Sequence, residues 1–427
     1  MRDLIAEFMN FNRPFAQRNP DLLRVKVARM AESPFAFFRG TFHVFARDVL
    51  DNLSEAAPLF LTGGGAEIDL VGDIHSENYG TYKATDDAIH YYINDFDETT
   101  RGRAGFDVCR LTTSLLLAAR ERGDPLEKAV VVALAAATAY AETLPRIFKK
   151  GGDVEYSSNA SSPDDCRAVS DLIRTAAAAK RSDFIGRLTE KDNGQRRLKR
   201  SPHYFNLPEG ERAQALRLLE DYCRRMPAPS TPDFYEIHDV CGRVAGIGSM
   251  GRLRYAVLLA GKGTKDARNV LIEFKEALPS AYDVYRQRDT ELAALVGRAE
   301  RVITMQRCSQ VASSPYLGFA VDGAQSFQAR EIGPQDSRVD FKTLNNSAEL
   351  EKLAQVQGSI LARTHARAIT RAVGLTNPLA DLENREAFCQ RVLAFALAYA
   401  DLVQRDWSRF VGARAELEKC EQWPTGS

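Results

Sequence analysis

Asp73 and Asn78 stand five residues apart in the stretch VGDIHSENYG, Val71 to Gly80. Two chemistries want residues of these types so close together. In a two-metal phosphoester hydrolase Asp73 and His75 would both bind metal. In a phosphoryl-transfer site Asp73 would orient or deprotonate an attacking hydroxyl while Asn78 held magnesium. The hydrolase needs further ligands, usually a second Asp or Asn and several His, to keep two ions about 3.5 to 4 Å apart. The histidines are His43, His75, His90, His203, His238 and His365; none stands in a GNH context, and no GDxxDR follows. The transfer site needs a carboxylate at the end of a following strand to bridge metal and phosphates. NDFDE supplies Asp95 there, with Asp97 as a second carboxylate.

A transfer site must also grip phosphates. Gly246, Gly248 and Gly251 spell the GxGxxG of GIGSMG, with Ser249 among them. Missing side chains let backbone N–H groups approach phosphate oxygens, although the same pattern also describes an ordinary hairpin turn. The residues that follow separate the alternatives, because LRYAVLLA reads as a strand and a dinucleotide-binding fold would place a helix there. Lys275 then sits near the end of the next strand, in VLIEFKEA, in the position of a lysine that contacts α and β phosphates. The helix after it offers Glu291 or Glu300 as an ion-pair partner, and the sequence does not choose between them.

Other polar residues receive plainer readings. Arg39 in FFRG is expected to anchor a carboxylate such as Asp48 or one in the acidic loops, His75 to serve either a structural hydrogen bond or the chemistry itself, and His365 and Arg367 to lie on a helix face. The basic run Arg196, Arg197, Lys199 and Arg200 reads as a solvated surface.

The elements that must position these residues follow from periodicity. Ser33 and Pro34 in SPFAFFRG read as an N-cap and first helical position. EIDLVGDIH and HYYINDFDE each read as a strand running into an acidic loop, together resembling a hairpin whose open end carries carboxylates. Helices follow from Asp107 and from Asp124-Pro125 to about Leu144. From Cys241 the chain turns to strands, with LRYAVLLA and NVLIEFKEA flanking the turn-rich GKGTKDAR. A helix over 281–295, a strand at ERVITMQR, a strand at SFQAREI and mostly helix from Ser347 to Ala413 complete the reading.

Lys plus Arg and Asp plus Glu each number 57 in 427 residues, so no global field argues for nucleic acid or a membrane surface as partner. With 44% hydrophobic and 27% charged residues the composition is that of an ordinary globular protein. The segment MRDLIAEFMNFNRPFAQRN lacks the continuous apolar core of a secretory signal. The longest apolar run, Ala129 to Ala141, is shorter than the ~18 residues of a membrane span and reads as a buried helix. Seven cysteines without a CxxC pair suit reduced thiols, and the expected location is cytoplasmic.

GDIHSENYG followed by YINDFDE resembles the catalytic and metal-binding segments of aminoglycoside phosphotransferase-like and choline kinase-like enzymes, which share the protein-kinase fold. Those families commonly place an aspartate at the start of the next helix; Asp107 in GFDVCRL matches it, which implies a buttressing role. Taken whole, with SPFAFFRG, GDIHSENYG, NDFDET and FKEA, the chain resembles the uncharacterised bacterial domain-of-unknown-function family 2252 over most of its length. The resemblance implies an α+β, two-lobed, protein-kinase-like fold with a large helical lobe and a small antiparallel-sheet lobe.

In kinases the glycine loop and lysine precede the catalytic loop, whereas here they follow it by more than 170 residues. The expected fold is therefore circularly permuted, an arrangement tolerated when termini lie close together at the surface. Residues 1–240 would form the catalytic region, 241–335 the nucleotide-binding sheet, and 336–427 the helices completing the large lobe. The expected activity is transfer of the γ-phosphate of ATP, with Mg²⁺, to a hydroxyl-bearing acceptor. Asp73 would be catalytic; Asn78, Asp95 and Asp97 would hold metal; Gly246, Gly248, Ser249, Gly251 and Lys275 would hold the nucleotide. A nucleotide-binding regulator without turnover and a nucleotidyl (AMP) transferase that binds ATP the other way round would share these residues, and a metal-dependent phosphoesterase is the remaining alternative.

Overall fold

The computed structural model describes residues 2–51, 67–150, 155–159, 166–192, 195–227, 231–248, 250–262, 268–286, 297–371 and 382–423. Four helices come first: α1 (Leu4–Arg18), α2 (Pro20–Met30), α3 (Pro34–Gly40) and α4 (Phe42–Leu50). Their starts are set by local chemistry. Asp3 accepts from the N–H groups of Ile5 and Ala6, Asn19 from Leu22, and Ser33 from Ala36, with Pro20 and Pro34 at first helical positions that need no N–H donor.

The acidic segments pair differently from the expected hairpin. Strand β1 (Ile68–Leu70) pairs with β4 (Thr100–Gly102), while β2 (Tyr79–Lys83) pairs with β3 (Ile89–Ile93). EIDLVGDIH and HYYINDFDE are thus not partners, because the chain makes a short 3₁₀ turn at Ser76–Asn78 and begins β2 at once. The N–H of Asn94 donates to the carbonyl of Asn78 over 3.0 Å, so the open end of the β2–β3 hairpin still brings the two polar loops side by side.

Helices α5 (Ala104–Glu121) and α6 (Leu126–Lys150) follow, then α7 (Arg167–Ala178). A second unit of packing starts with α8 (Arg181–Leu188), β5 (Thr189–Asp192), β6 (Gln195–Leu198), β7 (Tyr204–Phe205) and α9 (Glu209–Arg225). It continues through β8 (Ile237–Arg243), β9 (Arg254–Leu259), β10 (Val270–Glu276), α10 (Ala281–Tyr285), α11 (Arg298–Ser309), β11 (Gly318–Asp322) and β12 (Gln325–Glu331). Helices α12 (Ser347–Arg371) and α13 (Arg385–Gly412) then return to the helical body. The architecture is α+β, and its largest sheet is antiparallel in the order β11-β12-β10-β9-β8-β7.

That sheet is covered on both faces. Tyr255, Val257 and Phe274 pack with Leu218 and Tyr222 of α9, while Cys241, Ala256, Leu258 and Leu271 pack with Ile185 of α8 and Leu198 of β6. Residues 181–225, N-terminal to the expected boundary at 240, therefore pack on the sheet. ERVITMQR is helix α11 and not a strand. Its Ala299, Val302, Ile303 and Gln306 are buried at helical spacing, which is the period the core selects over the short apolar alternation. Of the expected helix 281–295, α10 accounts for five residues, and 287–296 lie outside the described residues.

The helical body centres on α5, α6, α12 and α13. Helix α6 is long and apolar enough to cross a membrane by length and composition; here Ala133, Ala136 and Ala137 are buried in the core shared with Ile360 and Leu361 of α12. Gly358 makes that approach close, since a Cβ on it would lie 2.2 Å from the carbonyl oxygen of Ala136. Gly358→Ala should therefore destabilise the protein by about 1 to 3 kcal/mol through overpacking against backbone. Gly186→Ala, inside α8 with nothing within 4 Å of the added carbon, should stabilise it by up to about 1 kcal/mol. Denaturant titrations of both variants check the opposite signs.

Candidate functional site

The loop after β1 is held from beneath. The carboxylate of Asp107 accepts the N–H groups of Val71 (2.8 Å) and Gly72 (3.0 Å) and lies 3.2 Å from Nε2 of His365. The other ring nitrogen of His365 is 2.9 Å from the hydroxyl of Tyr140. Asp107 and His365 are fully buried, so this aspartate buttresses the loop and His365 supports it from α12. Gly72, at φ +90°, passes where a Cβ would fall 2.1 Å from the carbonyl oxygen of Glu98.

Asp73 is fixed by one arginine. Its Oδ1 accepts from Nε of Arg110 at 2.8 Å and also from Nη2. The guanidinium of Arg110, fully buried, lies 4.1 Å from the ring centre of Phe38 and 4.8 Å from those of Phe42 and Phe45. Oδ2 of Asp73 faces the glycine loop, where a Cβ on Gly248 would be 3.9 Å away. Burial pushes the Asp73 carboxyl up to about 7 even against Arg110. A carboxyl so tuned exchanges its proton near neutrality.

Asn78 donates its side-chain N–H to the carbonyl of Asp73 at 2.5 Å, which leaves its Oδ1 as the atom a cation could use. His75 accepts the N–H of Glu77 at 3.2 Å. Burial, reinforced by Arg39, Arg110 and Arg338, lowers its pKa well below the usual value, so it stays neutral in a structural role. Arg39 pairs with Glu77 (2.7 Å), which also takes Arg338 (3.1 Å); Asp48 is instead engaged by Arg2 and Tyr399.

The loop after β3 meets the large sheet. Asp97 is buried and takes Lys275, Gln328 and Arg252, the last at 3.2 Å. Asp95, with its side chain 44% exposed, lies 3.6 Å from Nζ of Lys275. Burial alone would raise the Asp97 carboxyl, but Lys275 and Arg252 outweigh it and hold it below the usual range. With both of its oxygens engaged by donors, Asp97 fits the role of charge partner to Lys275, while Asp95 and Asn78 offer oxygen atoms suited to magnesium. Glu300 is exposed on α11 and Glu291 lies outside the described residues, so the carboxylate facing Lys275 comes from the loop after β3. Sequence reasoning missed Arg252 and Gln328. Gln328 is the cross-strand neighbour of Lys275, and Arg252 directly follows Gly251.

The glycine stretch joins β8 to β9 as a hairpin loop. Gly246 (φ +73°) and Gly251 (φ +98°) adopt backbone angles that favour glycine. Gly246 and Gly248 line the cavity. Gly251 serves packing, since a Cβ on it would fall 2.7 Å from Cβ of Phe15 in α1. Ser249 lies outside the described residues.

These parts enclose one cavity of about 250 Å³. Asp73, Asn78, Asp95, Asp97, Gly246, Gly248 and Lys275 all line it, although the two groups come from opposite halves of the sequence. Eight lysine and arginine side chains line it against five carboxylates, a local positive excess in a chain of zero net charge. One of the eight is Lys26 of α2, buried, with Nζ 2.9 Å from Oδ1 of Asn12.

The site thus defines an α+β protein with a cationic cleft between a helical body and an antiparallel sheet. The model of domain-of-unknown-function family 2252, described as "Uncharacterized protein conserved in bacteria", matches residues 18–413, and the chain belongs to that family. No curated protein and no solved structure matches it.

Lys26 gives a pH test of how the cleft is built. Burial, with help from Arg252, lowers its pKa from 10.5 to about 7. The unfolded chain holds this proton up to about pH 10.5, whereas the fold gives it up above about 7. Folding is therefore least penalised by Lys26 above about pH 10.5, and that advantage is lost progressively as pH falls towards 7, below which both states hold the proton. The melting temperature of Lys26→Met minus that of the wild type should rise as pH falls from 10 to 7 and level off below.

Proposed function

We propose that the protein is an ATP- and Mg²⁺-dependent phosphotransferase of kinase-like, circularly permuted build, acting on a hydroxyl-bearing acceptor. The observation that carries this reading is the meeting of two sequence-distant groups, Asp73, Asn78 and Asp95 on one side and Gly246, Gly248 and Lys275 on the other, around one cationic cavity. In it Asp73 faces the acceptor, held by Arg110 and tuned to take a proton near neutrality. Lys275 and the backbone of the glycine loop hold the donor's phosphates. Magnesium on Asn78 and Asp95 would neutralise phosphate charge.

The sheet strengthens the case for a phosphate-rich donor. The strand following the glycine loop carries Arg254, and the next carries its cross-strand partner Lys275, an arrangement like that of a kinase glycine loop and lysine. Nucleotidyl transfer is a second reading. It is favoured by three arginines on the sheet, Arg243, Arg254 and Arg330, which could seat the distal phosphates and leave the α-phosphate near Asp73.

Thermal unfolding with and without Mg-ATP tests the proposal. Ligand at a hundred times its dissociation constant should stabilise the wild type by about 2.7 kcal/mol. Asp95→Ala and Lys275→Ala should abolish the shift, and Asp73→Asn should retain it. An unmoved melting curve with saturating Mg-ATP would sink the reading. Once an acceptor is found, the mass added to it tells phosphoryl from nucleotidyl transfer.

A further inference from the structure

Glu273 of β10 lies buried two residues before Lys275, on the same face of the strand. It is shared by three arginines. Arg243 at the end of β8 bonds it, Arg254 at the start of β9 reaches Oε1 at 2.8 Å, and Arg330 of β12 reaches Oε2 through Nε at 3.2 Å. Burial would raise this carboxyl, but Arg243, Arg254 and Arg330 outweigh it and hold it well below the usual range. Glu273 therefore remains ionised and still balances only one of three guanidinium charges.

All three arginines line the same cavity as Lys275, whereas Glu273 sits behind them. Register places them deliberately. Arg254 is the cross-strand neighbour of Lys275, and Arg330 that of Glu273, so the cations form a continuous patch running from Lys275 across the sheet. Arg330 uses only Nε on Glu273, and its side chain is 35% exposed, so its terminal nitrogens remain for a ligand. Arg252 adds a buried Nε without a partner among the described residues, in a side chain 8% exposed that lines the same cavity. A carboxylate that pre-orients several guanidiniums towards a cavity makes a receptor for a tetrahedral polyanion, because each guanidinium offers paired donors matched to phosphate oxygens.

We propose that Arg243, Arg254 and Arg330, organised by Glu273, form a phosphate-binding subsite beside Lys275, separate from the metal-binding oxygens of Asn78 and Asp95. The phosphate comes either from the distal end of the donor or from a phosphorylated acceptor. The choice between these sources rests on the phosphotransferase reading; the subsite itself does not.

Calorimetric titration of the full chain with inorganic phosphate and inorganic tripolyphosphate, without nucleotide, tests it. Both should bind the wild type, tripolyphosphate more tightly. Arg330→Gln, at a half-exposed position that should fold normally, and Arg243→Gln should each weaken binding tenfold or more. Arg338→Gln, which removes a cation of the same cavity that serves Glu77, should weaken it less than threefold. No binding to the wild type, or equal losses in all three variants, overturns the subsite. Given binding, the sources separate by Mg-ATP. If Arg330→Gln weakens Mg-ATP tenfold but leaves AMP unchanged, the donor's distal phosphates occupy the subsite. If inorganic phosphate binds with unchanged affinity to protein saturated with Mg-ATP, the phosphate belongs to the acceptor. Phosphate binding that depends on Arg330 in a protein blind to Mg-ATP would keep the subsite and remove the phosphotransferase reading.

Discussion

The pairing of Lys275 with Asp97 is where two distant stretches of chain become one wall. Asp97 gathers Lys275 from β10, Gln328 from β12 and Arg252 from the glycine loop. Its neighbour Glu98 takes Arg252 at 2.8 Å and the N–H of Ala281 at 2.8 Å. Buried ion pairs contribute little net stability because desolvation offsets their attraction. What this cluster supplies is position: it sets Asp95, one of the exposed carboxylates, 3.6 Å from the lysine.

Much of this arrangement could be read from local pattern. LRYAVLLA and VLIEFKEA carried enough apolar and β-branched residues to be strands, the glycines before them fell in a hairpin loop, and Ser33-Pro34 began a helix. Pairing partners were less legible. Strand period tells which residues share a face but not which strand lies alongside, so the two acidic segments could be mistaken for one hairpin. ERVITMQR failed for a related reason. A short apolar run satisfies both periods, and only its burial against the sheet selects the helix. Arg252 and Gln328 were invisible because their partner in the cleft, Asp97, lies far away in sequence, and Lys26 because nothing in its helix marks it as facing the cleft.

The site also shows charge being placed at a cost to the fold. Arg110 sits among three phenylalanine rings to hold Asp73, and Lys26 is buried with a neutral asparagine oxygen as its hydrogen-bond partner. Neither arrangement would be chosen for stability alone, since burying an ionised group is unfavourable unless it is well paired.

Helix α1 reaches the same cleft from outside it. Phe15 occupies the space a side chain on Gly251 would need, and Arg18 pairs with Glu276 at 2.6 Å while donating to the carbonyl of Gly251. The region shared with the family begins at residue 18. A fragment trimmed to that border would keep Arg18 and discard Phe15, stripping the prop from beneath the glycine loop. Helix α1 is thus part of what shapes the cleft, although the match to the family model begins only at its last residue.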